Sequence, residues 1–133
     1  MKTINIYNKN KILEVNTDDR GVIADVFYNT SINHVAYIKS LPNVIRGNHY
    51  HKQSTQHILI TKGSLEYWYK KYNTDDIPQV FYAEVGDLIT TEPFEIHALR
   101  IGKDGNEFIV FTEGKRGGAD YEEDTFRVDP IIN

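Results

Sequence analysis

The stretch Ile45–Gly63, IRGNHYHKQSTQHILITKG, places three of the chain's five histidines between two glycines. The runs on either side of its centre read as β-strands, and QHILI in particular is apolar enough for a buried one. Side chains at alternate positions of a strand point to the same side. His49 and His51 therefore share a face, at two positions that Val or Ile would fill in a purely structural strand. A buried imidazole must find hydrogen-bond partners for its ring nitrogens. Two of them side by side in a strand, next to Arg46-Gly47, point to chemistry inside a β-structure.

The rest of the chain has the same grammar of short strand-like runs closed by turn residues. The runs are 3–7, 11–15, 21–28, 33–39, 44–51, 56–61, 64–72, 79–84, 87–91, 95–101 and 106–113. Between them lie TDDRG, KG, NTDD, VGD, TEPFE, GKDGN and GKRGG. Lys103-Asp104-Gly105-Asn106 has the signature of a tight hairpin, because Asp-Gly accepts positive φ cheaply. Asn73–Asp76 reads as a longer hairpin loop, and Asp18 and Asp19 as turn formers. No window carries a capped helical period, so helix is expected below ~15%. The final GADYEEDTFRVDPIIN reads as acidic and then extended. Many short strands with little helix predict an all-β jelly-roll barrel, as a single domain over residues 1–133. Inward side chains alternate along each strand of such a barrel, and one end forms a mouth.

Composition removes several classes of function. The 133 residues are 40% hydrophobic and 26% charged, with a formal net charge of -4, so no nucleic-acid or anionic-membrane partner is expected. The absence of cysteine excludes disulfides, zinc–thiolate centres and thiol catalysis. No apolar run is long enough for a signal peptide core or a membrane span, and a cytoplasmic protein is expected. Aromatics are abundant, with nine Tyr, six Phe and one Trp, which favours strands. In LEYWYKKY, Tyr67, Tyr69 and Lys71 share one side and Trp68 and Lys70 the other. Tyr67 and Tyr69 are candidates for a substrate-binding wall, with core or subunit interface as the competing role. His97 has apolar same-face neighbours in Leu99 and Ile101, so it too is expected to face inward. Three inward imidazoles form a nitrogen set suited to a divalent metal.

The order His-x-His, Gln56, Gly63, then Gly86, Pro93 and His97 is similar to the two motifs of the cupins. Residues 18–128 resemble the RmlC-like branch. DDRG (18–21) followed by IRGNHYH (45–51) is similar to the D-x-R-G and R-G-x-H signatures of nucleotide-sugar epimerases and ketoisomerases. GNHYHKQSTQHILITKG, with DTFRV (124–128), resembles the C-terminal cupin domain of bifunctional capsular-polysaccharide enzymes, which act on UDP-linked 4-keto sugars. The shorter RGNHYHK also resembles dTDP-4-keto-6-deoxyglucose 3,4-ketoisomerases. The resemblance implies a double-stranded β-helix, a homodimer, a nucleotide-linked sugar as ligand and no organic cofactor. It also implies a metal set of His49, His51, Gln56 and His97, for Zn, Ni, Fe or Mn. Gln56 stands where the family has Glu, Glu95 stands where a Gly is usual, and the Pro-to-His spacing is one residue short. A neutral amide binds a cation less well than a carboxylate, so weak or partial metal occupancy is expected. His57 lies on the opposite face from Gln56 and would replace it only across a bulge.

These residues suit one chemistry. A ketone acidifies the proton on the neighbouring carbon; His49 or His51, titrating near neutral pH, removes it, and a proton returns to the other face or to another carbon. Metal ligation and proton transfer compete for the same lone pair. Arg20, Arg46 and Lys52 are the candidates for a diphosphate, although regular strand parity turns Arg46 away from His49 unless the strand twists at Gly47. Two other classes stay open: a non-catalytic cupin that binds a sugar or nucleotide sugar, and a metal-dependent cupin oxygenase or lyase acting on another small molecule.

Overall fold

The structure, a computed structural model, describes residues 1–10, 12–114 and 118–132. Its elements are β1 (Lys2–Asn5), β2 (Val15–Asp18), β3 (Gly21–Ala24), β4 (His34–Ser40), β5 (Ile45–Tyr50), β6 (Thr55–Lys71), β7 (Gln79–Glu84), β8 (Asp87–Thr91), β9 (Glu95–Glu113), α1 (Gly118–Glu123) and β10 (Phe126–Arg127). The barrel is built on β6 and β9, which pair antiparallel from Thr55↔Glu113 to Lys71↔Glu95. Both strands pass through two layers. In one layer β4 pairs the second half of β9, and β8 and then β1 extend the first half of β6. In the other, β5 and then β10 extend the first half of β9, and β7 pairs the second half of β6. Ile58, Ile60, Ile89, Phe108 and Val110 from the first layer pack against Leu65, Tyr67, Leu99 and Ile101 from the second in one core. This is the jelly-roll barrel expected from the strand pattern. Among the described residues no helix is long and apolar enough to cross a membrane.

Where two separate strands with a hairpin at Asp104-Gly105 were expected, β9 runs on without reversing. The same holds at Lys62-Gly63, where the runs 56–61 and 64–72 join into β6. Both glycines do have positive φ, +76° at Gly63 and +77° at Gly105. They use it for a bulge, marked by register shifts between Ile60 and Lys62 and between Gly63 and Leu65. There the two backbones nearly touch: a Cβ on Gly63 would lie 2.4 Å from the carbonyl oxygen of Gly105. The Asn73–Asp76 hairpin is present, with Tyr69 opposite Gln79.

Three other boundaries move. The Asn10 side chain accepts the N–H groups of Ile12 and Leu13, which folds the expected strand 11–15 into a turn, and β2 begins at Val15. Lys11 lies outside the described residues. β3 ends at Ala24 rather than 28. The acidic C-terminal stretch forms α1 and then β10, whose Phe126 and Arg127 pair with Tyr50 and His49. In the GKRGG turn, residues 115–117 lie outside the described residues.

The register also sets a polarity along the barrel. Near the bend the inward residues are apolar: Ile60, Phe108, Leu65 and Ile101 are each 3% exposed or less. Away from it they are polar. Gln56 sits opposite Thr112 and Thr91, and Thr112 opposite His34, in one layer; His49 sits opposite His97 in the other.

The close crossing makes Gly63 a sensitive position. Gly63→Ala adds a Cβ to a left-handed residue and drives it against backbone. Urea denaturation is expected to show a loss of about 2 kcal/mol or more, beyond the usual cost of Ala at positive φ. A change under about 0.5 kcal/mol would contradict the bend geometry.

Candidate functional site at the polar end of the barrel

His49, His51 and His97 converge. Their ring centroids are 4.7 Å apart for His49–His97, 4.9 Å for His49–His51 and 5.5 Å for His51–His97. One ring nitrogen from each lies within 4.8 Å of the other two. A bulge in β5 arranges this wall. Gly47 (φ +89°) pairs with Ala98, and His49 with His97, so Asn48 (φ +58°) is the extra residue. The inserted residue changes the parity on which Arg46 was expected to face away. Arg46 sits opposite Leu99 and His49 opposite His97, two residues apart on β9, so both face the interior. They line one cavity of about 360 Å³, together with His97, Gln56, Tyr121, Arg127 and apolar residues that include Ile58 and Phe108. Only glycine fits at 47: a Cβ there would lie 2.8 Å from the His97 carbonyl oxygen.

Hydrogen bonds fix two of the rings. A carbonyl can only accept, so His51 donates its Nδ1–H to the Asp124 carbonyl at 2.7 Å and His97 donates its own to the Glu95 carbonyl at 3.1 Å. In the neutral rings this leaves Nε2 as the basic nitrogen. Burial, with the neighbouring His51 as a second cause, pushes His97 down to about 4, so it is neutral at physiological pH. Three imidazoles whose nitrogens converge, two of them tautomerically fixed, with Gln56 lining the same cavity from the facing layer, suit a divalent cation in type and number of donors.

The other expected site residues are placed as follows. Tyr67 is fully buried behind His97, its ring within 5° of parallel and 6.1 Å away. Its hydroxyl bonds Thr91 and donates to Glu95 at 2.9 Å, and burial followed by the Glu95 charge pushes the phenol well above its usual range. It therefore packs behind the cavity and does not line it. Tyr69 donates to Gln79 at 2.9 Å and faces a separate cavity with Lys70 and Lys71. Arg20 projects from the β2–β3 turn, with its side chain 83% exposed and its guanidinium 2.6 Å from Asp18. Lys52 is exposed, with its ammonium 4.2 Å over the Phe126 ring. Neither cation lines the histidine cavity: local partners of opposite charge or π-density hold both outside it. His57 stays on the outer face, 2.8 Å from both Thr90 and Glu113, with Phe27 edge-on, and so does not replace Gln56. The left-handed residue of the turn before His97 is Phe94 (φ +66°), one place before Glu95, in keeping with the shortened Pro-to-His spacing.

Sequence reading missed Tyr121, Asp124 and Arg127. Tyr121 lies 6.1 Å and 6.4 Å, ring to ring, from His51 and His49. Burial raises the Asp124 carboxyl, but hydrogen bonds from the Lys52, Gln53 and Ser54 amides and from the Ser54 hydroxyl outweigh it and hold the group below its usual range. The only signal was the DTFRV stretch, which holds Asp124 and Arg127 but not Tyr121. A six-residue helix is too short to show a period.

His97 makes stability depend on pH. Its folded pKa of about 4 lies below the ordinary 6.5. Below pH 6.5 the unfolded chain therefore binds a proton that the folded chain refuses. The contribution is complete above about 6.5 and is lost as pH falls toward about 4, by on the order of 3 kcal/mol. Urea denaturation of metal-free protein at about pH 7.5 and 4.5 should show this fall, and His97→Gln should make it shallower. Equal slopes for the two proteins would contradict the burial of a neutral His97.

Comparison with known proteins places this geometry. The chain aligns with a double mutant of the QdtA 3,4-ketoisomerase from Thermoanaerobacterium thermosaccharolyticum in complex with TDP at a TM-score of 0.71 and 20% identity, over 87% of this chain and 83% of that one. A 3,4-ketoisomerase from Helicobacter canadensis aligns at 0.75 and 17%, over 96% and 90%. The capsular polysaccharide assembling protein CapF from Staphylococcus aureus aligns at 0.64 and 19%, over 91% of this chain but 34% of CapF. These likenesses show the RmlC-like cupin fold. No curated protein matches the chain. A family model covers residues 16–112, and the chain belongs to the polysaccharide biosynthesis C-terminal domain family.

Proposed function

We propose that the chain is an isomerase of nucleotide-linked 4-keto-hexoses, an epimerase or ketoisomerase working by proton abstraction beside the ketone. The observation that carries this reading is the bulge at Gly47-Asn48, which puts a titratable imidazole and a guanidinium on one cavity wall. The 3,4-ketoisomerases and the 3,5-epimerase among the structural neighbours support it.

His49 is the base. It lines the cavity, whereas His51 is 1% exposed and does not. His49 takes the proton from the carbon next to the ketone and returns it to the neighbouring carbon on the same face, as a ketoisomerase requires; epimerisation would need a second group to donate a proton from the opposite face. His97, neutral and fixed, does not compete for that proton. Arg46 is steadied by a 2.8 Å hydrogen bond from its Nε to Ser40, so its fork meets the diphosphate with little further loss of freedom. Arg127, held by Glu122 through two 3.2 Å bonds, sits at the same cavity and adds positive charge. His51 and His97, with Gln56, would hold a divalent ion, and His49 as well in a resting state. When bound, such an ion supplies charge to stabilise an enolate oxygen. A homodimer accords with the exposed apolar residues Ile23 and Val35, 70% and 58% accessible, and sedimentation would test it. A cytoplasmic setting accords with a chain free of cysteine.

The decisive experiment incubates the protein with dTDP-, UDP- and GDP-4-keto-6-deoxy sugars in deuterium oxide and follows exchange at carbons 3 and 5 by NMR. His49→Asn should slow exchange by ~10²–10⁴-fold with little change in binding. Arg46→Ala should weaken binding and matter less at saturation. If no sugar exchanges a proton, the chain is a binding module and not an isomerase.

The metal reading has its own test. Gln56→Glu should tighten binding of Zn or Mn in calorimetry by restoring an anionic donor. Tight stoichiometric metal that is indifferent to this change would show that Gln56 is not a ligand.

A further inference from the structure

We propose that Asp124 is a positioning residue for His51, and that the C-terminal segment, beyond the part matched by the family model, completes the histidine site. The inference rests on the proton-transfer reading above. The family match ends at residue 112. Asp124 lies past it, only 2% exposed.

Its two ends do different work. β5 stops at Tyr50, so the amides of Lys52, Gln53 and Ser54 have left the ladder and need acceptors. The Asp124 carboxylate takes all three at 2.9–3.2 Å and the Ser54 hydroxyl at 2.8 Å. Consecutive amides turned toward one point favour an anion. An Asn there would present donors to donors on one side. With the carboxylate clamped, the backbone carbonyl of the same residue stands 2.7 Å from His51 Nδ1. That contact admits one neutral tautomer, with the proton on Nδ1 and the lone pair on Nε2.

The segment also secures the bulge. The Val128 amide bonds the Asn48 carbonyl at 2.9 Å, and the Ile131 amide bonds the Asn48 side chain at 3.0 Å. Asn48 is the left-handed residue that sets the facing of His49. One clasp therefore fixes the tautomer of His51 and the placement of the base. His51, ring-adjacent to His49, then presents a lone pair and no proton. That suits either a shared cation or the imidazolium that forms when His49 takes the substrate proton.

The test reads the tautomer directly. Long-range ¹H–¹⁵N spectra of metal-free protein with ¹⁵N-labelled histidine should show His51 in wild type as the Nδ1–H form. Asp124→Asn should give a mixture of tautomers and lower kcat for sugar exchange by about 10–100-fold with KM little changed, as loss of an outer-shell partner commonly does. Ser54→Ala, which removes one of the donors, should show a smaller loss of the same kind. Wild-type His51 in the Nε2–H form would overturn the proposal. So would Asp124→Asn with a single Nδ1–H tautomer and full kcat. If Asp124→Asn does not fold, the wild-type spectrum decides on its own, with Asp124→Glu as the second variant. If wild type exchanges no 4-keto sugar, the isomerase reading fails while the spectra still decide whether Asp124 sets His51.

Discussion

The structure depends on one close approach, that of β6 to β9 at Gly63 and Gly105. Two long strands can serve both layers of a barrel only if they bend together, and the bend brings backbone against backbone. A side chain at 63 would drive into the Gly105 backbone and one at 105 into the Ser40 carbonyl, each on a residue already held at positive φ. Because the bend is fixed, the register on each side of it is fixed. A slip of one residue would turn Ile58 and Ile60 outward and bring Leu59 and His57 into the core. The polar rows at the far end, and with them the histidines, inherit that register.

At the polar end the ionisable groups His97, Tyr67 and Asp124 are hydrogen-bonded or kept neutral, whereas Thr112 Oγ1 and His34 Nδ1 are buried without a hydrogen-bond partner. A charged His97 in this environment would be costly, and burial instead lowers its pKa so that it stays uncharged. Tyr67 stays protonated for the same reason and donates to Glu95. Asp124 keeps its charge because amides and a hydroxyl converge on it. The same desolvation that would destabilise an unpaired ion thus keeps His97 and Tyr67 uncharged, while converging donors keep Asp124 an anion behind the histidines. This is a suitable setting for moving one proton beneath an anionic ligand.

Much of this was legible in the sequence. Alternation placed His49, His51 and His97 inward, and the turn residues gave the strand-rich barrel. Two kinds of information were not legible. Asp104-Gly105 announces positive φ, but a hairpin and a bulge ask the same of those residues, and only the partner strand distinguishes them. Arg46 has the opposite problem, since its facing depends on one inserted residue, Asn48, whose bulge leaves no mark in a parity count. The candidates placed elsewhere were misjudged through local partners. Arg20 has Asp18 two residues away, and Lys52 has Phe126 across from it. Asp124 was hidden because its role comes from amides 70 to 72 residues earlier in the chain.

The replacement of an anionic donor by Gln56 is consistent with the proposed chemistry. Three imidazoles and an amide are all neutral, so they would cancel none of a divalent ion's charge. Such an ion would be held less firmly than by a site with a carboxylate, but more of its field would reach a ligand oxygen. An enolate is that kind of ligand. Arg46 acts in the same direction, Arg127 only in part because Glu122 pairs with it, and the carboxylates of Glu95 and Asp124 are turned toward Tyr67 and the 52–54 amides. The cavity therefore has the Arg46 guanidinium on its wall, while the Glu95 and Asp124 carboxylates are occupied behind it. That arrangement favours a ligand anionic both at its phosphates and, transiently, at its sugar.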